Sequence, residues 1–451
     1  MVGTADDTAR GAVFGSRRDA AATCAVAAVW GIAWVASVHG VYTAWGVVSL
    51  CVGVLVLFGA LWTGAAYGRA STRLLLLLTV PTGLLSIALA PPLINQVPGL
   101  PGLLMAGIVV SGLALLAWPA IPALTRLSPR LTVAGTVGLT AASFVLVILG
   151  SKPVIDVWVI LRDSARALLH GQNPYALTFP DVPPGQTSSC FNYWPVTFLS
   201  TAPGQWLLGD VRYVEAGCVV AASGLLAWQA GKASGWRDRQ ALGTAVLVGL
   251  VPGSLLVVQQ AWTEPMLLLG MVGGALLMRR GHYTWAAVPL GLALATKQHL
   301  VVLLPLLLFW PRFGWRRLLL TGGVAAAVSA PWALADWSRF RLCTVDFFLG
   351  EQGPAQSLSL WRLLPGALQM PVLVLGMAAA VVVVLLRCPR TPGGFLIASG
   401  AVLAAFDLLN KQTFTNQWWL AAALALAGMT MTPVTAAVAG SGRVRSAVRV
   451  R

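Results

Sequence analysis

Long apolar stretches recur along the chain between short polar segments, and this pattern predicts a bundle of membrane-spanning helices. Each stretch approaches the ~20 apolar residues that an α-helix needs to cross the hydrocarbon core. The spans 283–296 and 298–310 are short, so we expect helices that are tilted or broken around the polar trio Lys297, Gln298 and His299. In all we predict fourteen spans, near 20–38, 43–63, 73–93, 102–122, 132–150, 213–229, 240–258, 261–278, 283–296, 298–310, 317–335, 370–387, 393–409 and 416–434.

Composition and charge placement refine this picture. Of 451 residues, 57% are hydrophobic and 10% are charged, which is typical of an integral membrane protein. With the N-terminus in the cytoplasm, only nine of the 30 lysines and arginines fall on the outer side, as the positive-inside rule requires. We therefore expect a plasma-membrane protein with both termini in the cytoplasm. The heavy use of Ala, Val, Gly, Leu and of Arg over Lys is typical of a high-GC bacterial gene, so we expect a bacterial membrane. The net charge of +16 then reflects topology and attraction to anionic membrane lipids, so no nucleic-acid partner is expected.

The same pattern predicts how the chain is organised. We expect an all-α polytopic protein with N-terminal accessory helices in residues 1–131 and a catalytic unit in residues 132–434. Two large loops, 151–212 and 336–369, interrupt the catalytic unit and are predicted to lie outside the membrane on the extracytoplasmic side. A basic cytoplasmic tail, 435–451, ends the chain. We call the two large loops the first loop and the second loop.

The first loop carries an amphipathic segment, residues 157–170, whose apolar residues recur at helical spacing and predict a helix. Its polar face gathers Arg162, Asp163, Arg166 and His170. Gly171 is predicted to end this helix, which we expect to lie in the membrane interface. Arg162 and Arg166 are one turn apart and suit a lipid phosphate, although a packed helix whose charges only face water explains them equally well. The apolar face consists of Val157, Trp158, Leu161, Ala165, Leu168 and Leu169.

The end of the first loop is aromatic. Tyr193 and Trp194 suit an interfacial aromatic belt, and they also suit stacking on the face of a sugar ring. The segment 194–208 is interrupted by prolines, so it predicts a surface or re-entrant helix rather than a full span. Cys190 in this loop and Cys343 in the second loop are candidates for a disulfide that ties the two loops together.

Charged residues avoid the middle of every predicted span and collect at the predicted outer helix ends. This distribution favours an outward-facing site over an ion conduction path. Glu264 is a candidate for orienting an acceptor hydroxyl, or alternatively for a helix-capping role. His299 is a candidate for phosphate binding or proton relay, or alternatively for a hydrogen-bonded helix end. The charged residues at these ends are Asp156, Glu264, Lys297, Asp336, Asp407 and Lys411.

Taken in order, these features resemble the GT-C glycosyltransferases, in particular the branch that uses polyprenyl-phosphate mannose to extend phosphatidylinositol mannosides. Asp156 followed by the interfacial helix and by Gly171, Pro174 and Tyr175 is similar to the start of that family's first extracytoplasmic loop. The stretch GLALATKQHLVVLLPLLL resembles a family helix with a lysine, here Lys297, near its outer end.

A late motif completes the resemblance, which covers residues 150–430. The stretch LLNKQTFTNQWWL resembles a polar-aromatic motif of the family and places Lys411 and Asn416 near the site. One departure is that four predicted spans precede the helix that delivers Asp156, whereas the family usually delivers this residue after its first helix. The residues expected to contact substrate are Arg162, Arg166, Tyr175, Tyr193, Glu264, Lys297, His299, Lys411 and Asn416.

The resemblance implies a specific reaction. A sugar, with mannose as first choice, would move from a polyprenyl-phosphate donor to a glycolipid or glycan acceptor in an inverting displacement. Asp156 is the expected general base, and Asp163 competes for that role. Lys297, Lys411 or Arg162 would stabilise the departing phosphate. No metal or other cofactor is expected, since no ligand spacing or nucleotide-binding motif is present. Two alternatives remain, a flippase or transporter of lipid-linked sugars and a scaffold of an envelope-polymer complex.

Overall fold

The structure is a computed structural model and describes residues 17–64, 128–153, 155–183, 186, 189–350 and 353–431. In this part of the chain all regular secondary structure is helical. Five short 3₁₀ or π turns join the α-helices: Pro174–Ala176, Val248–Leu250, Gln298–Leu303, Leu342–Asp346 and Trp361–Leu363. The α-helices are α1 (Arg17–His39), α2 (Ala44–Thr63), α3 (Pro129–Gly150), α4 (Asp156–Leu169), α5 (Val196–Leu208), α6 (Arg212–Ser234), α7 (Arg239–Leu247), α8 (Ser254–Gln259), α9 (Glu264–Arg279), α10 (Tyr283–Leu294), α11 (Leu304–Phe309), α12 (Gly314–Ala335), α13 (Trp337–Arg341), α14 (Phe347–Gly350), α15 (Gly366–Arg387), α16 (Pro392–Leu409) and α17 (Thr415–Met431).

Seven of the described helices are long and apolar enough to cross a membrane, which makes the chain a polytopic helical protein. They are α1, α2, α3, α6, α12, α15 and α16. Shorter apolar helices, among them α10, lie between them. The predicted spans 73–93 and 102–122 and the predicted tail 435–451 lie outside the described residues.

One predicted span is wrong. Residues 240–258 do not form a continuous helix, because α7 ends at Leu247 and α8 begins only at Ser254. Pro252 has no backbone N–H and favours an extended conformation for Val251, which adopts φ −51° and ψ 133°. Gly253 follows with φ +91°, a backbone angle that residues with a Cβ atom rarely adopt.

The predicted break within residues 283–310 is confirmed. Helix α10 ends at Leu294, and Lys297 adopts an extended backbone conformation with φ −149° and ψ 128°. The chain then continues as a 3₁₀ turn before α11 begins at Leu304. Lys297 is therefore the residue at which this helical segment is interrupted.

Helices α16 and α17 form the centre of the fold, and nearly all of their residues are buried. Two glycines allow their backbones to approach closely: a Cβ on Gly400 would lie 2.5 Å from the Ala421 carbonyl oxygen, and one on Gly428 would lie 2.5 Å from that of Gly393. Helices α1 and α2 share this core, so the accessory unit predicted for residues 1–131 is packed directly against the rest where it is described. By contrast, α12 and α15 bury little of their apolar surface, which suits contact with lipid.

The second loop packs against the first loop, as the sequence suggested. The predicted disulfide is confirmed, because Cys190 and Cys343 are bonded with their Cα atoms 5.3 Å apart. Beside the disulfide, the Phe340 ring lies edge-on to Tyr175, with ring centroids 4.9 Å apart. Both loops therefore share one small hydrophobic core.

We expect this disulfide to stabilise the loops. Replacing Cys343 by alanine should lower the apparent melting temperature of the purified protein, since a disulfide that closes a long loop contributes ~2–4 kcal/mol to the free energy of unfolding. Cys24→Ala is the matched control, because Cys24 is a free and exposed cysteine, and it should leave the melting temperature unchanged. Peptide mapping under non-reducing conditions should find Cys190 joined to Cys343; two free thiols at these positions would contradict the prediction.

Candidate functional site

Helix α4 carries the first candidate residues and matches its prediction closely. It was expected over 157–170 and runs from Asp156 to Leu169, and Gly171 ends it with φ +67°. The backbone N–H of Asp156 donates a 2.6 Å hydrogen bond to the Gln186 side-chain oxygen, and the Asp156 side chain is partly exposed. The predicted apolar face is largely buried, except for Leu169, which is 60% exposed.

Contacts between the end of α3 and the start of α4 help to position Asp156, the first residue of α4. The buried Arg212 guanidinium donates hydrogen bonds to the carbonyl oxygens of Ile148, at 2.8 Å, and Ser151, at 2.9 Å, and so caps the end of α3. It also pairs with Asp210 at 2.7 Å. Asp210 in turn accepts a 3.4 Å hydrogen bond from the Trp158 ring nitrogen, which connects the cap to α4.

The charged residues of α4 form ion pairs with one another and with Asp181 of the first loop. Arg162 forms ion pairs with Asp163 at 2.7 Å and with Asp181 at 3.1 Å, and Arg166 lies 3.8 Å from Asp163. The hydrogen bond that Arg162 donates to Asp163 is the main reason why the pKa of the Arg162 guanidinium is raised above its ordinary value. Both arginines and Asp163 thus have partners within this face, which weakens the case for Asp163 as a free base and for Arg162 as a free phosphate ligand.

Tyr175 lies in the hydrophobic core rather than at an open surface. Its side chain is fully buried, and its hydroxyl donates a 2.9 Å hydrogen bond to the Tyr193 carbonyl oxygen. Its ring packs edge-on against Phe191, Phe198 and Phe340. The sequence-based expectation of a substrate contact at Tyr175 is therefore replaced by a packing role, since a fully buried ring in an aromatic cluster has no free face.

Tyr193 connects the first loop to a second group of charges. The pKa of the Tyr193 hydroxyl is raised well above its ordinary value, mainly because the group is buried. The nearby carboxylates of Asp156 and Glu264 raise this pKa further. The ammonium group of Lys297 lies 5.5 Å from the centre of the same ring. Tyr193 is thus close to the charges of both Asp156 and Lys297.

The second group is an ion pair with an amide partner. The Lys297 ammonium lies 2.6 Å from Glu264 Oε1, and the Asn416 amide nitrogen donates a 2.8 Å hydrogen bond to the same oxygen. Glu264 is fully buried, whereas the Lys297 side chain keeps 14% exposure. We call Glu264, Lys297 and Asn416 the charged triad.

Local structure explains how three separate segments meet in the charged triad. Glu264 opens α9 after a short turn that follows α8, and in this turn Ala261 adopts the left-handed conformation with φ +55°. Asn416 is the second residue of α17. Lys297 lies at the break after α10, and its position depends on the first loop.

The first loop satisfies the carbonyl groups that this break exposes. The Trp194 N–H donates to the Thr296 carbonyl oxygen at 3.2 Å, and the Thr197 hydroxyl donates to the same oxygen at 2.7 Å. Gln298 Nε2 donates to the Asn192 carbonyl oxygen at 3.3 Å. The first loop therefore helps to determine where Lys297 lies.

Two further predicted site residues, His299 and Lys411, and the helix-end residue Asp407 are placed as follows. His299 is partly buried and lies within electrostatic reach of Lys297 and Glu264. Lys411 lies between α16 and α17, where its backbone packs against Gly353 of the second loop. Asp407, which was recognised only as a helix-end charge, is fully buried and lies within electrostatic reach of Glu264.

Two polar residues near the charged triad were missed as site candidates. Glu215 on α6 is fully buried and lies within electrostatic reach of Glu264, but it has no sequence signal besides being an acid near a helix start. Gln298 belongs to the polar trio at the break, and this interruption of an apolar segment was a signal that pointed to it. In the part of the chain that the structure describes, no group of three His, Cys, Asp or Glu side chains is placed to hold a metal ion. The absence of a metal or cofactor requirement stays an expectation.

In the residues that the structure describes, the chain has the fold of an all-helical polytopic protein with apolar spans. No family model, no curated protein and no solved structure matched the chain.

Proposed function

We propose that this protein is an integral membrane glycosyltransferase that transfers a sugar from a polyprenyl-phosphate donor to a glycolipid or glycan acceptor. The first choice of sugar is mannose, and the resemblance to the GT-C family motivates both choices. The reaction would occur on the outer face of a bacterial plasma membrane, with both termini in the cytoplasm. Apolar spans and a cluster of polar residues beside the two loops support a lipid-linked substrate.

One observation carries the proposal: a partly exposed carboxylate and a partly buried cation lie near the same tyrosine. The Asp156 carboxylate is near enough to raise the pKa of the Tyr193 hydroxyl, and the Lys297 ammonium lies 5.5 Å from the centre of the Tyr193 ring. Asp156 and Lys297 are nevertheless separated by 141 residues in sequence. Glycosyl transfer from a phosphate donor needs a base for the acceptor hydroxyl and a cation for the departing phosphate. Asp156 and Lys297 would supply these two functions.

The proposed step is a single displacement. The acceptor hydroxyl oxygen attacks the anomeric carbon, and Asp156 takes the hydroxyl proton. The bond between the anomeric carbon and the phosphate oxygen breaks, and its electron pair stays on the phosphate, which Lys297 stabilises. Because one displacement inverts the anomeric centre, a second catalytic carboxylate is not needed, unlike in a retaining glycoside hydrolase.

The test is a transfer assay with purified protein in lipid nanodiscs. Labelled polyprenyl-phosphate mannose and an extract of bacterial membrane lipids should yield a labelled glycolipid, whereas a labelled nucleotide-sugar should yield none. A donor that binds, is never transferred, and moves between leaflets when the protein is reconstituted in vesicles would contradict the proposal and favour a flippase. Activity that is equal with heat-denatured protein would also contradict it.

A further inference from the structure

Several hydrogen-bond acceptors in the charged triad and on the residue after Lys297 have no protein partner in the described part of the chain. Glu264 Oε1 accepts from both Lys297 and Asn416, but Glu264 Oε2 is buried and accepts nothing there. Asn416 Oδ1 and Gln298 Oε1 are likewise buried without a donor. Native proteins pair most of their buried polar atoms, so these three unpaired acceptors, two in the charged triad and one on the residue after Lys297, need an explanation.

The chemical identity of these atoms is fixed by their neighbours. The Asn416 amide group contacts a carboxylate oxygen, which only accepts, so the contacting atom must be the NH₂ group and the other must be the oxygen. The Gln298 amide contacts the Asn192 carbonyl oxygen, which also only accepts, so its orientation is fixed in the same way. All three unpaired atoms are therefore acceptors.

A ligand that satisfies three acceptors must carry several hydrogen-bond donors. A phosphate monoanion or dianion mainly accepts, so phosphate alone does not match these atoms, whereas the hydroxyl groups of a sugar do. The adjacent Lys297 offers the opposite chemistry: an ammonium group with three N–H donors, of which Glu264 takes one. Hydroxyl donors next to an anionic acceptor describe a sugar phosphate.

We propose that Glu264 Oε2, Asn416 Oδ1 and Gln298 Oε1 recognise hydroxyl groups of the donor sugar, while Lys297 binds the phosphate that carries it. This inference rests on the proposed function, because it assigns the sugar to the lipid-linked donor. It makes Asn416 and Gln298 specificity-determining residues. A site that uses buried polar atoms to bind hydroxyls rejects ligands without them, since those atoms are then left unpaired.

The experiment compares two ligands on each variant of the full-length protein in nanodiscs. The probes are polyprenyl phosphate and polyprenyl-phosphate mannose, and the readout is the ratio of their dissociation constants in competition with a fluorescent polyprenyl phosphate. In the wild type the mannose-bearing lipid should bind on the order of 100-fold more tightly. Asn416→Ala and Gln298→Ala should each reduce this ratio by about tenfold, because each removes one acceptor.

Two further variants separate the sugar contribution from the phosphate contribution. Lys297→Met should weaken the binding of both ligands, because both carry the phosphate that Lys297 binds. Gln205→Ala is the matched control: Gln205 Oε1 is also buried and unpaired within the described residues, but it lies on α5 outside the charged triad. Its ratio should equal that of the wild type. The ratio does not depend on the folded fraction, so partial misfolding of a variant does not disturb it.

The outcomes differ between this inference and the proposed function. Tight binding of both lipids with an unchanged ratio in Asn416→Ala and Gln298→Ala would overturn the inference, whether or not the wild type transfers mannose. Equal binding of the two lipids by the wild type would overturn it as well. Transfer of the label by the wild type would support the proposed function independently of the ratio.

Discussion

Replacing Asp156 by asparagine is expected to lower kcat for sugar transfer by about 10²- to 10⁴-fold, the usual contribution of a general base. Asparagine keeps the shape of the side chain but cannot accept the hydroxyl proton. The backbone hydrogen bond from Asp156 to Gln186 does not involve the carboxylate, so that contact of the helix start should survive. Single-turnover rates with labelled polyprenyl-phosphate mannose measure the effect.

Asp163→Asn is the matched control for this prediction. Asp163 lies seven residues further along α4, on the same face, but its charge is shared with Arg162 and Arg166. We expect kcat to fall by less than about tenfold, since only partly exposed ion pairs are lost. A rate that collapses in Asp163→Asn and is preserved in Asp156→Asn would transfer the role of base to Asp163.

The second large effect is expected from the ion pair between Lys297 and Glu264. Lys297→Met leaves the fully buried Glu264 carboxylate without its cation, which should cost ~3–5 kcal/mol of stability. Transfer should also fall by about 10²- to 10³-fold, because the charge opposite the departing phosphate is lost. Thermal unfolding and transfer rates are measured on the same preparations.

A double variant separates these two effects. Glu264→Gln combined with Lys297→Met removes both charges, so much of the stability lost in Lys297→Met should return. Transfer should stay low, because neutral side chains cannot stabilise a phosphate leaving group. A double variant that regains both stability and transfer would show that Lys297 serves only to balance the charge of Glu264.

The sequence predicted local features well because their causes are local. The α4 boundaries follow from helical periodicity followed by Gly171, and the break at Lys297 follows from three polar residues inside an apolar run. The wrong span at 240–258 shows the opposite case. Hydropathy counts apolar residues and does not register that Pro252 and Gly253 interrupt the backbone.

Contacts between distant segments could not be derived in this way. Glu264 and Asn416 are 152 residues apart, and nothing local to either residue specifies their hydrogen bond. Tyr175 was expected near substrate because of its motif, whereas its burial depends on the rings of Phe198 and Phe340 from other segments. Long-range packing therefore decided which candidate residues came together.

The position of α17 at the centre of the fold has a consequence for biosynthesis. The Thr415 hydroxyl donates a hydrogen bond to the Ala36 carbonyl oxygen across 379 residues, so α1 emerges from the ribosome long before its partner exists. At translation rates of ~5–20 residues per second, this interval lasts roughly 20–75 s. During that time α1 cannot form its contacts with α17. Asn416 is synthesised after Glu264 and Lys297, so a nascent chain acquires the complete charged triad only after α17 has been made.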